Sequence, residues 1–306
     1  MVSREPEPAM TLEAWRAAGA TFQFDGHAIF CAGEGNGPAG EALLLIHGFP
    51  TASFDWHRVW APLADRFRCV APDMLGFGFS DKPPDHDYRI AEQADLHEHL
   101  CDLLAVRRVH VLAHDYGDTV AQELLARAIE GSGPLEIRSV CLLNGGLFPE
   151  AHRARRVQKW LAGPLGPWLS RLTGERAFAR SFAPVFGPRT RPTRAEMHDF
   201  WRLVSHGGGH RIGHRLLAYL REREDHRDRW VGALEGAAAH GIPVRFVNGL
   251  LDPVSGAHML TRYRAVVRDA DWVSLEGIGH YPQIEDPDGV LDAFWGFLRR
   301  HDLLPD

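Results

Sequence analysis

Asp115 is the residue around which the chemistry of this chain gathers. It stands between an apolar, valine-containing run, Val109 to Ala113, and a segment in which Val120, Ala121, Leu124, Leu125, Ala128 and Ile129 recur at the spacing of one helix face. Almost no chain separates strand from helix. Ala113 and Gly117 flank the acid, so the backbone must turn sharply and expose the central side chain. The pattern is that of the G-x-S-x-G nucleophile elbow, with Asp in place of Ser and Ala in place of the first Gly. An Asp at this position alone also reads as a helix N-cap. Two more residues tip the balance toward catalysis. Asp252 follows the apolar run Phe246-Val247-Asn248, and His280 lies in Gly277-Ile278-Gly279-His280-Tyr281-Pro282, just after the run ending at Leu275. One histidine among 18, or one loop Asp, carries little weight. An acid and a base at successive strand ends behind an elbow carry much more.

A carboxylate at the elbow suits displacement at a saturated carbon, which gives an alkyl-enzyme ester. The helix N-terminus beneath Asp115 favours its ionised form. His280, held by Asp252, is then the base that activates water against that ester. The resulting oxyanion needs two backbone N–H donors, for which Tyr116 and Phe49 are the candidates. His47, His114 and Tyr219 are the expected substrate contacts. Epoxides and alkyl halides carry the required electrophilic carbon, so the expected partners are a small molecule and water, with no metal and no cofactor.

Positioning these groups takes a sheet. Strand-like runs fall near Thr21-Phe24, His27-Cys31, Leu43-Ile46, Cys69-Pro72, Val109-Ala113, Ile137-Asn144, Pro243-Asn248 and Asp271-Leu275. Helical patterns intervene at Thr11 to Ala18, Phe54 to Leu63, Ile90 to Leu104 and, last, Val290 to Arg300. After Asn144 the alternation stops, and a segment rich in Arg, Trp and Pro continues without a clear strand, with helical patches at Ala151-Leu161 and Ile212-Glu224. The expected architecture is α/β, a mostly parallel sheet flanked by helices, formed by residues 1–145 and 231–306. Residues 146–230 are an inserted helical lid over the site.

A hydrophobic share of 45% over 306 residues supports a substantial core. A net charge of −6 without a long basic run argues against nucleic acid as a partner. The Arg density of the lid reads as a solvated surface rather than an anion site. Four scattered cysteines without a C-x-x-C pair read as free thiols of a reducing compartment. Met1 to Pro8 resembles neither a signal peptide nor a span, and no apolar run approaches the ~20 residues a membrane span needs. A soluble cytoplasmic protein is the expectation.

At these residues the sequence resembles the α/β-hydrolase superfamily, in its branch of epoxide hydrolases and haloalkane dehalogenases. Leu44-Leu45-Ile46-His47-Gly48-Phe49-Pro50, Asp73-Met74-Leu75-Gly76-Phe77-Gly78-Phe79-Ser80-Asp81 and Gly279-His280-Tyr281-Pro282-Gln283 carry the likeness, and nucleophile, acid and base follow in that family's chain order. The resemblance implies an Asp-nucleophile hydrolase. Dehalogenases of the branch usually hold halide with a Trp after the nucleophile and an Asn after His-Gly, where this chain has Tyr116 and Phe49. The His-Gly-Phe-Pro turn resembles epoxide hydrolases, which implies lid donors for the epoxide oxygen. Tyr219 is the one lid tyrosine, with Tyr116, His206, His210, His214 or a Trp left as a second donor. Asn144 occupies the alternative acid position of some dehalogenases but carries no charge, which favours Asp252. The runner-up readings are a dehalogenase, an esterase-like hydrolase and a non-catalytic binding protein.

Overall fold

Leu43, Leu44, Leu45 and Ile46 are all fully buried, and successive residues feed two different cores. Leu44 and Ile46 join one cluster, Leu43 and Leu45 the other. A strand with no polar face must lie inside a sheet covered on both sides. The computed structural model, which describes residues 10–304, has that sheet. The leading stretch Met1–Pro8 lies outside the described residues. Among those described, no helix is long and apolar enough to cross a membrane.

The strands are β1 (Ala20–Phe24), β2 (His27–Glu34), β3 (Glu41–Ile46), β4 (Cys69–Pro72), β5 (Arg108–His114), β6 (Glu136–Leu143), β7 (Val244–Gly249) and β8 (Asp271–Leu275). They form one eight-stranded sheet in the order β1-β2-β4-β3-β5-β6-β7-β8. The β1–β2 and β2–β4 pairs are antiparallel, and every pair from β4 onward is parallel. The carboxyl ends of β3, β5, β7 and β8 therefore point to one edge, where the candidate residues stand.

Helices α1 (Leu12–Ala18), α2 (Trp60–Ala64), α3 (Ile90–Leu103) and α4 (Tyr116–Glu130) precede the segment 146–230. Within it come α5 (Arg156–Leu161), α6 (Gly166–Leu172), α7 (Glu175–Phe182), α8 (Arg194–Ser205), α9 (Gly213–Leu216) and α10 (Tyr219–Asp225). The chain closes with α11 (Arg227–Gly236), α12 (Ala257–Val266), α13 (Pro282–Glu285) and α14 (Pro287–Arg300). Apolar faces of α3, α4, α11 and α12 pack on one side of the sheet, and those of α1, α2 and α14 on the other. Gly131, at φ +67°, ends α4 in the left-handed conformation that glycine adopts most cheaply.

Three expected helices differ in extent. The Ala151-Leu161 helix begins only at Arg156, and the Phe54-Leu63 helix is a turn of 3-10 helix, Ser53–Trp56, followed by α2. The Ile212-Glu224 helix is interrupted between Leu216 and Tyr219. The expected lid boundary at Trp230 falls inside α11. That helix belongs to the core because Glu123 of α4 accepts from Trp230 Nε1 at 2.8 Å and from Arg229 Nε at 2.8 Å. The four cysteines are unpaired.

Candidate active site

Asp115 adopts φ +50° and ψ −104°, a conformation that costs a non-glycine residue about 1–3 kcal/mol. Close packing around the turn holds it there. A Cβ on Gly117 would come within 2.3 Å of the Ile46 carbonyl, and one on Gly48 within 2.6 Å of His114 Nδ1. Only glycines let the end of β3 pass this close to the elbow.

The carboxylate so placed is 3% exposed. Its Oδ2 accepts from the Phe49 backbone N–H at 3.2 Å and faces His280 Nε2 at 3.8 Å, an ion-pair separation rather than a hydrogen bond. Oδ1 accepts no hydrogen bond among the described residues, and Asp115 lines a cavity of about 210 Å³. On its far side, His280 Nδ1 donates to Asp252 Oδ2 at 2.7 Å. Asp252 also accepts from Asn144 Nδ2 at 2.9 Å and from the Val254 N–H at 2.7 Å. Asn144, weighed above as an alternative acid, instead donates a hydrogen bond that supports Asp252. The structure thus brings Asp115, His280, Asp252 and Phe49 together from four separate strand ends.

Charge in this cluster is set by competition. Burial opposes ionisation of Asp115, but the His280 ring, Arg223 and His114 outweigh it and hold the carboxyl far below its ordinary range. Burial likewise opposes charge on His280, yet Asp252 and Asp115 on its two sides raise the ring well above an ordinary histidine. Asp252 is lowered against its own burial, chiefly by the His280 charge. The three shifts share one cause, the attraction between the His280 ring and the two carboxylates that flank it.

A model of the alpha/beta hydrolase fold matches residues 41–287. The chain belongs to the α/β-hydrolase family. The mesoderm-specific transcript protein of Mus musculus is 45% identical over 303 residues, covering 96% of this chain and 89% of that protein. Two solved structures share the fold. Haloalkane dehalogenase DbeA from Bradyrhizobium elkani superposes with a TM-score of 0.75 at 22% identity, over 93% of this chain and 98% of its own. Epoxide hydrolase CorEH gives 0.72 at 21% identity, over 92% of this chain and 98% of its own.

Three expected substrate contacts of this α/β-hydrolase stand elsewhere. His47 is fully buried, accepting the Met74 N–H on Nε2 at 3.0 Å and donating through Nδ1 to the Gly48 carbonyl at 2.9 Å. It ties two loops together, and burial lowers its pKa to about 4. His114 is also sealed, and its Nε2 donates to the carbonyl of His280 at 2.7 Å, so it fixes the backbone of His280. Tyr219 is 0% exposed and off the cavity wall. Its ring lies against Tyr116 with centroids 4.8 Å apart and under the Arg223 guanidinium, and its hydroxyl has no partner. The break after Leu216 is the cause, since Leu216 rather than Tyr219 takes the place on the wall. The Tyr116 ring also packs into the core, leaving that residue only its backbone to offer.

Two residues of the lid were hidden among many of their kind. Arg223 is 2% exposed, donating through Nη2 to the Asp115 carbonyl at 3.1 Å and through Nε to Thr119 Oγ1 at 2.7 Å. No spacing distinguishes it from the other lid arginines. Among the three lid histidines noted in the sequence, His210 lines the cavity and its Nδ1 is buried without a partner. His206 packs on Phe79, and His214 bonds Ser170 at 3.3 Å. The remaining wall is mostly apolar, with Phe49, Phe77, Phe178, Phe182 and Leu203.

Proposed function

We propose that this α/β-hydrolase opens apolar epoxides through an ester on Asp115. The observation that carries the reading is the split environment of one carboxylate. Oδ2 is already bound by the Phe49 N–H, Oδ1 accepts no hydrogen bond among the described residues, and Asp115 lines the cavity. Oδ1 attacks the epoxide carbon and the C–O bond of the ring breaks. Esterification removes the Asp115 charge, so His280 releases its proton, which reaches the new alkoxide through water. His210, whose pKa burial lowers, hydrogen-bonds the alkoxide from the lid side.

Neutral His280, still held by Asp252, then takes a proton from a water attacking Cγ. The oxyanion forms on Oδ2, against the Phe49 N–H and the N–H of Tyr116 at the helix start. Collapse breaks the Cγ–Oδ1 bond, the diol leaves with Oδ1, and the carboxylate and imidazolium are restored. An epoxide fits better than a halide because the wall offers a histidine donor and no tryptophan N–H.

The test is mass spectrometry of the Asp115 peptide after His280→Gln protein is incubated with styrene oxide or bromohexane. An adduct from the epoxide and none from the bromide is the expected result. An adduct from bromohexane alone would move the reading to dehalogenation. No adduct from either probe would refute the ester mechanism for them.

A further inference from the structure

An amphipathic helix on a protein normally buries its apolar stripe, but α6 presents its stripe to solvent. Leu165, Trp168, Leu169 and Leu172 follow the i, i+3, i+4, i+7 pattern and are 67%, 70%, 36% and 79% exposed. Ser170, between them in sequence, is 1% exposed and faces inward. Trp160 of the neighbouring α5, 64% exposed, extends the same outer surface. These five account for most of the large apolar side chains the described residues leave exposed. A contiguous patch of this kind marks a docking surface.

The charge around it is as uneven as the polarity. Residues 153–180 hold seven basic side chains and one acidic one, a local +6 in a chain of net −6. Arg156, Lys159, Arg171, Arg176 and Arg180 form no ion pair among the described residues. Glu175, the single acid, is taken by His198 at 2.8 Å. Elsewhere in the molecule arginines are paired repeatedly, as Arg127 and Arg229 are. Unneutralised cations beside exposed Trp and Leu match an interface whose own surface is negative and whose interior is apolar.

We infer that the outer face of α5 and α6 docks on an anionic lipid bilayer. A second copy of the chain fits poorly, because a two-fold contact would set one basic surface against another. The inner faces of the same two helices bear Val157, Leu161 and Ser170 on the wall of the substrate cavity. Docking therefore places the cavity beside the phase in which apolar compounds concentrate. The surface is independent of the reaction proposed above, and binding is read without turnover.

Flotation with phosphatidylcholine vesicles, with and without phosphatidylglycerol as a third of the lipid, tests this. The wild type should float with the anionic vesicles, and only weakly with the neutral ones or at high salt. Trp168→Ser with Leu172→Ser should cut binding by roughly tenfold or more without moving the melting temperature, since both side chains lie in solvent. Arg156→Gln with Lys159→Gln should cost at least roughly fivefold. Failure of the wild type to float with anionic vesicles overturns the inference. So does undiminished flotation of the Trp168–Leu172 variant, or a wild-type dimer that this variant dissolves while vesicles bind neither.

Discussion

Replacing Asp115 by Asn should lower the pKa of His280 by about three units. Asn has the shape of the acid without its charge, as does the ester the mechanism forms. His280 Nε2 is 3.8 Å from Asp115 Oδ2, and both groups are buried. At the effective dielectric of about 20 suited to such sites, that separation is worth ~4 kcal/mol. At 1.36 kcal/mol per pH unit this is about three units. The two carboxylates raise His280 to about 10. Losing one of them leaves a ring titrating near neutrality, where a general base is most effective.

The assay is an NMR titration of the His280 Nδ1 proton, which the hydrogen bond to Asp252 makes distinctive. Wild type should remain imidazolium throughout the neutral range, and Asp115→Asn should titrate within it. Stability follows the same group. A raised histidine pKa stabilises the fold below the unfolded value and loses that contribution as pH rises through about 10. The wild-type melting temperature should therefore fall across that alkaline window more steeply than the variant's. Identical His280 titrations in the two proteins would refute the idea that esterification switches the base on.

Three other perturbations probe the remaining parts. A single turnover of styrene oxide in H2¹⁸O should place the label in Asp115, and label found only in the diol would mean direct attack of water on the epoxide. Arg223→Met removes two charge-assisted hydrogen bonds to the elbow and should destabilise the fold by about 3 kcal/mol. It should also raise the Asp115 pKa and so move the acid limb of kcat/KM toward neutral pH; an unchanged melting temperature and acid limb would exclude a role at the nucleophile. His210→Phe should slow ester formation by roughly 10²-fold if its ring receives the alkoxide, with little change in melting temperature, and an unchanged rate would remove it from the site.

What was legible in the sequence follows from what is local. The central strands could be read because buried strands must be apolar and short, and the elbow because its small flanks are a local steric demand. Asp252 and His280 were readable since each sits one loop beyond a strand end, where a parallel sheet gathers its loops. The lid resisted for the opposite reason. Its side chains act across more than a hundred residues of sequence, as Arg223 does at Thr119 and Asp115, and no periodicity records such a partner. From sequence alone Tyr219 is the cavity candidate because it is the lid's single tyrosine. A helix break two residues earlier turned it against Tyr116 instead. His47 and His114 lie beside catalytic motifs and still serve backbone carbonyls and amides, so adjacency in sequence is a weak guide to contact with substrate.

The same distribution of bonds says which part of the lid yields to an incoming substrate. The α10 end is fastened by Glu222 to the Ile90 N–H and by Arg223 to the elbow, and it runs straight into the core helix α11, which Arg229 and Trp230 tie to Glu123. The 185–187 segment is fastened to the histidine loop, where the His280 N–H donates to Val185 and Gly187 donates to Glu285. Lifting either would disturb Asp115 or His280. From α6, the described residues show a single side-chain hydrogen bond to another lid helix, His214 to Ser170 at 3.3 Å. Breaking one neutral bond costs about 1 kcal/mol, whereas freeing Arg223 would cost several times that. Entry past α6 therefore leaves Asp115 and His280 undisturbed, and α6 is the helix whose apolar stripe faces outward. Contact with a lipid surface and access to the cavity thus fall on one element, the part of the lid that the elbow does not hold.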